Sequence, residues 1–204
     1  MKALLIVDVQ NDFIPGGALA VSGGDEIVSI INEIQEKFDF IVATQDWHPA
    51  DHGSFASNHP MKSVGEFIDL RGINQILWPE HCVQGSQGAD FHPDLNRDKW
   101  KAVFQKGTDQ SVDSYSGFFD NNKAGDTGLS SFLKKNRINE ISVCGLATDY
   151  CVKFTVLDGL AEGFKMQLIV DATKAVNIQE GDFERAIEEM ENAGAVVLQS
   201  SQFQ

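Results

Sequence analysis

The chain has 204 residues, enough for one domain with a real core and short for two. Its 30 acids against 16 Lys and Arg leave a net charge of −14, a field that repels phosphate backbones and anionic lipid, so neither nucleic acid nor membrane is an expected partner. Cys82, Cys144 and Cys151 cannot all pair and form no CxxC, which fits a reducing cytoplasm, and no apolar run reaches the length of a signal-peptide core or a membrane span.

Ala3 to Val7 is all apolar, as expected of a strand covered on both faces. Asp25 to Lys37 follows with Ile27, Ile30, Ile31 and Ile34 at helical spacing, and Asp25 is placed to cap it. Phe40 to Thr44 reads as a second buried strand. From Gln45 to about Lys101 the chain is rich in His, Pro, Gly and Asp and only weakly periodic. That stretch reads as long loops carrying short elements, an irregular insertion in an otherwise regular domain. Ala102 to Gln105 gives a third strand, Gly128 to Asn136 a helix, and Ile141 to Cys144 a fourth strand. Cys151 to Gly163 is a helix, Gln167 to Val170 a fifth strand, and Glu180 to Ala193 a helix ended by Gly194 at C′. Ala195 to Leu198 closes the series as a sixth strand. Strands alternate with helices, so residues 1–204 are expected to form one α/β domain. Its sheet is six-stranded and mostly parallel, with helices on both faces.

In such sheets the ligand crevice lies outside the carboxyl ends of the strands. Four strand ends carry chemistry. Cys151 sits where a strand turns into a helix, a place where the helix dipole and free N–H groups can lower a thiol pKa, so it is a candidate nucleophile. A buried packing cysteine is the competing reading. Asp8 follows the first strand and could take the thiol proton, although a lone Asp there is more often a turn former. Asp46 and His48 lie two apart after the second strand and suit Zn or an Fe-type metal. His81, in the rigid run Trp78-Pro-Glu-His-Cys82, could complete a two-His, one-carboxylate set. His52 is left open as a further ligand, and His59 and His92 read as surface loop residues. Lys106 ends the third strand, where a cation could hold a carboxylate or thiolate ionised. A phosphatase built on Asp8 would need an acid at position 10, where Gln10 stands.

The segments ALLIVDVQNDF, TQDWHP, WPEHCVQGSQGA, FQKGTD, SYSGFF, GLATDYCVKFT and DATKAV run in order through nearly the whole chain. Together they resemble the nicotinamidases, also called pyrazinamidases, of the isochorismatase-like cysteine hydrolases. The resemblance implies a three-layer α/β/α fold, a catalytic triad at Asp8, Lys106 and Cys151, and metal ligands at Asp46, His48 and His81. It implies one divalent metal ion, Zn first with Fe or Mn as alternatives, and a cis peptide between Leu146 and Ala147. The N–H groups of Ala147 and Cys151 become the oxyanion donors. Phe13, Trp78, Tyr115 and Leu146 become the substrate-binding set. The implied reaction converts nicotinamide to nicotinate and ammonia, as in NAD salvage, with pyrazinamide as a second substrate. A homo-oligomer is left open. The rival readings are a same-fold amidase for another small amide or carbamoyl group, and a non-catalytic metal-binding protein. The metal motifs TQDWHP and WPEHC favour the amidase branch over the isochorismatases proper, which lack them.

Overall fold

The computed structural model describes residues 1–203. Its centre is a six-stranded, wholly parallel sheet in the order β5-β2-β1-β6-β7-β8. The strands are β1 Lys2–Val7, β2 Ile41–Asp46, β5 Trp100–Lys106, β6 Glu140–Leu146, β7 Lys165–Lys174 and β8 Val196–Leu198. Between β2 and β5 lies a two-stranded antiparallel hairpin, β3 Phe67–Leu70 and β4 Ile73–Ile76. The helices are α1 Ile27–Gln35, α2 Leu129–Lys135, α3 Lys153–Ala161 and α4 Asp182–Asn192.

The side-chain alternation of β1 divides the interior into two cores. Leu4 and Ile6 point to one face and meet Ile27, Val28, Ile31 and Ile34 of α1. Ala3, Leu5 and Val7 point to the other and meet Leu129 and Leu133 of α2, Val156 of α3, and Ala186 and Met190 of α4. Each fully buried Ile or Leu contributes about 1.5–3 kcal/mol by leaving water. This is the expected three-layer arrangement.

Several element edges differ from the sequence reading. Asp25 does not cap α1. It lies inside a 3-10 turn, Gly24–Glu26, and α1 begins one residue later without a side-chain cap. The Gly23-Gly24 pair starts that turn early, Gly23 taking φ +67°. β5 begins at Trp100, inside the stretch read as irregular, and β7 runs beyond Val170 to Lys174 with a bulge against β6. The helix after β6 opens with a π-type turn over Thr148–Val152 before α3. Gly194 does terminate α4: its N–H reaches Glu191 O at 2.9 Å and that of Ala195 reaches Met190 O at 2.9 Å. These two bonds form a Schellman motif.

Cys82, Cys144 and Cys151 are all buried and unpaired. Among the described residues no helix is long and apolar enough to cross a membrane.

Candidate active site

β1 is the central strand. The chain steps from it to β2 and β5 on one side, then returns to build β6, β7 and β8 on the other. The crevice at that reversal, beyond the carboxyl ends of β1 and β6, is where an open α/β sheet places its ligand. Asp8 emerges there from β1 and Cys151 from the turn after β6. Asp8 takes φ +48°, a left-handed conformation that Asp tolerates better than most residues. Gly145 is obligatory beside it, since a Cβ there would stand 2.0 Å from Val7 O.

Strand register brings the third member in. Asp46 and Lys106 are paired across β2 and β5, so both side chains rise from the same rim. Lys106 Nζ lies 2.8 Å from Asp46 Oδ1, 2.9 Å from Ser114 O and 3.5 Å from Cys151 Sγ. Those three contacts use its three N–H groups. Asp8 Oδ2 stands 2.9 Å from the same ammonium but accepts no hydrogen bond. Thr44 Oγ1 donates to the other oxygen, Asp8 Oδ1, at 2.7 Å. Asp8 therefore has one oxygen held by a hydrogen bond and one held by charge alone, and the thiol of Cys151 neighbours the same carboxyl group.

All of this is dry: Asp8, Lys106 and Cys151 are 0%, 2% and 8% exposed. Burial would lower Lys106, but Asp46 and Asp8 outweigh it and hold the ammonium well above its ordinary value. Burial raises Asp8, and Lys106 offsets only part of that. Burial would raise Asp46 as well, yet His48 and Lys106 hold it well below the usual carboxylate range. Cys151 departs from the sequence expectation. Its place at a helix start suggested a lowered pKa. Burial pushes the thiol well above its ordinary value against the pull of Lys106, and Asp8 and Asp46 push it further. Burial and the two carboxylates thus disfavour the thiolate in this site.

Asp46, His48 and His81 converge next to this trio, all buried. Asp46 Oδ2 is 3.0 Å from His48 Nε2 and 3.5 Å from His81 Nε2. The other ring nitrogens are spoken for: His48 Nδ1 faces Gly107 O at 2.9 Å and His81 Nδ1 faces Pro79 O at 2.7 Å. A carbonyl only accepts, so each Nδ1 donates there and each ring turns its Nε2 toward Asp46. Two imidazole nitrogens and one carboxylate oxygen on one side, with an open cavity on the other, fit a divalent ion that keeps solvent or ligand positions. Gln10 fixes the backbone of Asp46 from both sides, accepting from its N–H at 2.8 Å and donating to its carbonyl at 2.8 Å. Asp12 accepts from Cys82 N at 2.7 Å and so ties the His81 loop to the first strand's turn.

His52 stacks on His48 with ring centroids 4.3 Å apart, but its nitrogens face Ser54 Oγ and Val112 O. With His48 and Asp113 it forms a second buried group whose ligand atoms lie within 4.8 Å of one another, beside the Asp46, His48 and His81 set. His59 binds Gly53 O, and His92 accepts from the Asp94 N–H. Neither joins the cluster.

A cavity of about 400 Å³, partly open to solvent, sits over these groups and is lined by Phe13, Trp78, Tyr115, Ala147 and Cys151. The Leu146–Ala147 peptide is cis. Tyr150 N and Val152 N both donate to Ala147 O, so the Cys151 N–H between them does not share that carbonyl. Leu146 is a correction: its side chain is fully buried in the α1-side core, against Gly24, and does not line the cavity. Leu19, Asp113, Tyr150 and Val176 do line it and escaped the sequence reading. Tyr150 was discoverable, since it shares the strand-to-helix turn with Cys151. Leu19 and Val176 lie in aperiodic loops and carry no such signal.

Comparison with known proteins agrees with this geometry. The nicotinamidase of Escherichia coli (strain K12) is 50% identical over 202 residues, covering 96% of this chain and 93% of that protein. The structure of a nicotinamidase/pyrazinamidase from Acinetobacter baumanii superposes with a TM-score of 0.96 at 44% identity, covering 100% of this chain and 98% of that one. A pyrazinamidase from Pyrococcus horikoshii, solved in complex with zinc, gives 0.79 at 39% identity over 97% of this chain and 98% of that one. The isochorismatase-domain profile matches residues 2–202, and the chain belongs to the isochorismatase family.

Proposed function

We propose that this chain is a metal-dependent cysteine amidohydrolase that converts nicotinamide to nicotinate and ammonia, and acts on pyrazinamide as well. The observation that carries the reading is the trio itself: a buried thiol, a carboxylate with one unpaired oxygen, and an ammonium touching both. The relatives' named activities support the substrate.

Cys151 Sγ attacks the carboxamide carbon as its proton passes to Asp8 Oδ2. Because burial disfavours the thiolate, proton transfer to Asp8 accompanies the attack. The oxyanion forms against the N–H groups of Ala147 and Cys151, each such donor being worth roughly 3–4 kcal/mol in a transition state. Asp8 then returns the proton to the departing nitrogen, and ammonia leaves a thioester on Cys151. A water that gives a proton to Asp8 adds to the thioester; Asp8 passes that proton to the departing Cys151 sulfur, and nicotinate is released. Lys106 remains charged throughout and keeps Asp8 available as a base between steps. Phe13, Trp78 and Tyr115 hold the ring. Asp46, His48 and His81 would hold the divalent ion, with zinc as first choice and iron or manganese as alternatives. When bound, the ion supplies a Lewis-acid anchor for the pyridine nitrogen. The buried free thiols are in keeping with a cytoplasmic enzyme.

The test is ammonia release from nicotinamide by metal-loaded protein, metal-depleted protein and Cys151→Ala. Loaded wild type should turn over, depletion should suppress turnover reversibly, and Cys151→Ala should be silent while folded. Turnover by Cys151→Ala at the wild-type rate would remove the thiol from the mechanism.

A further inference from the structure

We propose that Tyr150 sets the upper size limit of the substrate by closing the reactive cavity off from a second, larger cleft. This rests on the amidase reading above and extends it to the class of amide accepted. The second cleft holds about 840 Å³, partly open to solvent, between the β3–β4 hairpin and helices α3 and α4. Tyr115 and Tyr150 line both spaces, so these two rings are the partition.

The two rings are held differently. The Tyr115 hydroxyl lies 3.1 Å from Trp78 Nε1 and 3.0 Å from Gln75 Nε2, both donors, and its ring stacks on Phe154 at 5.4 Å. Gln75 is itself anchored to Ile76 O at 2.8 Å and to Asp113 Oδ2 at 2.9 Å. Tyr115 is a fixed post. Tyr150 makes edge contacts only, to Trp78 at 5.0 Å and to Tyr115 at 5.5 Å, and its hydroxyl has no partner among the described residues. It is the half-buried, replaceable half of the partition.

The chemistry beyond it selects the occupant. Phe67, Ile76 and Phe154 give the cleft an apolar strip beside the charged groups of Asp149, Lys153, Asp182, Arg185 and Glu189, whose balance is one net negative charge. Its cations are already paired, Lys153 with Glu189 at 3.0 Å and Arg185 with Asp182 at 2.6 Å. An uncharged aryl group attached to the substrate ring therefore matches the cleft, and an anionic extension does not. With Tyr150 in place, such ring-extended carboxamides are excluded.

The experiment compares wild type, Tyr150→Ala and Tyr150→Phe on nicotinamide and on nicotinamides carrying one phenyl group at each free ring carbon in turn. Tyr150→Ala should raise the ratio of kcat/KM for at least one phenyl derivative over nicotinamide by roughly tenfold or more, the scale on which pocket volume discriminates. Tyr150→Phe, which keeps the ring, should keep the wild-type ratio. Adding Asn74→Trp, which fills the cleft from the hairpin, should cancel the gain. Tryptophan-fluorescence titration with the corresponding phenyl-nicotinic acids reads the same opening without turnover. A folded Tyr150→Ala that gains neither turnover nor binding of any phenyl derivative overturns the proposal. So does an equal gain in Tyr150→Phe, or a gain that Asn74→Trp leaves intact. If wild type releases no ammonia from nicotinamide, the amidase reading fails, and the titration still decides whether Tyr150 is the partition.

Discussion

Gly107→Ala should disable the metal cluster although residue 107 is no ligand. Gly107 follows Lys106 at φ +66°, and a Cβ built on it stands 2.3 Å from His48 Cε1 and 2.5 Å from His48 Nδ1. Ordinary contacts lie at 3.4–4 Å, so His48 has to move by about an ångström, a length of overlap worked from that difference. The same movement stretches the 2.9 Å bond from His48 Nδ1 to Gly107 O, which fixes the tautomer. Loss of such an outer partner lowers metal affinity by about 10–100-fold. The control is Gly163→Ala, at φ +87° with nothing within 4 Å of the new Cβ. It carries the left-handed penalty alone, about 1–2 kcal/mol, hence a fall in Tm of roughly 2–8 °C for a chain of this size. Metal content by elemental analysis and ammonia release are measured on both variants. Gly163→Ala should retain metal and activity, whereas Gly107→Ala should lose both. Full metal occupancy with unchanged kcat/KM in Gly107→Ala would refute the claim that this glycine holds His48.

Activity should fall on the acid side as pH drops through the Asp8 pKa, because the base must be ionised. Burial holds that pKa above its ordinary value of 3.8, so the acid limb of kcat/KM should lie higher than for a free Asp. Thr44→Val removes the 2.7 Å bond to the ionised form and should move that limb further up, with Thr44→Ser restoring it; an unmoved limb in Thr44→Val would detach Asp8 from the profile. Lys106→Met leaves two buried carboxylates without their cation and should cost about 3–5 kcal/mol in denaturant unfolding, besides abolishing turnover; wild-type stability would contradict the pairing. His48→Ala should yield protein with little bound metal by elemental analysis, and full occupancy there would remove His48 from the ligand set.

What the sequence makes legible is the part of the site that strands deliver. Asp8 and Asp46 end buried strands and Lys106 ends the half-exposed edge strand β5, and the strand-end rule is enough to put them on one rim. His48 and His81 are legible through composition, because few other histidines compete for the role. What stays hidden depends on loop conformation. Asp113, Leu19 and Val176 reach the cavity from segments with no period. Leu146, next to the oxyanion turn in sequence, shares with Cys144 the face of β6 that packs against α1; a strand read as ending at Cys144 does not carry the alternation to it. The thiol pKa is hidden for a different reason. A helix start favours a thiolate, but the sign depends on how much water and how many carboxylates surround the sulfur, and only the packed structure supplies those.

That sign matters for how the site works. Asp8, Asp46 and Lys106 together carry one net negative charge before the divalent ion proposed at Asp46 is counted, and a thiolate beside Asp8 would put a further anion into the same dry space. Keeping Cys151 protonated avoids that cost at rest. Attack on the amide transfers the new charge to the substrate oxygen, beyond the carboxylates and against backbone donors, while the proton neutralises Asp8. The total charge does not change, but the repulsion between Asp8 and Asp46 is relieved as the tetrahedral species forms. The arrangement thus stabilises the transition state relative to the resting enzyme, which is what accelerates the chemical step. Asp8 Oδ2, held to Lys106 by charge while the three N–H groups of the ammonium go to Asp46, Ser114 O and Cys151, is where this begins.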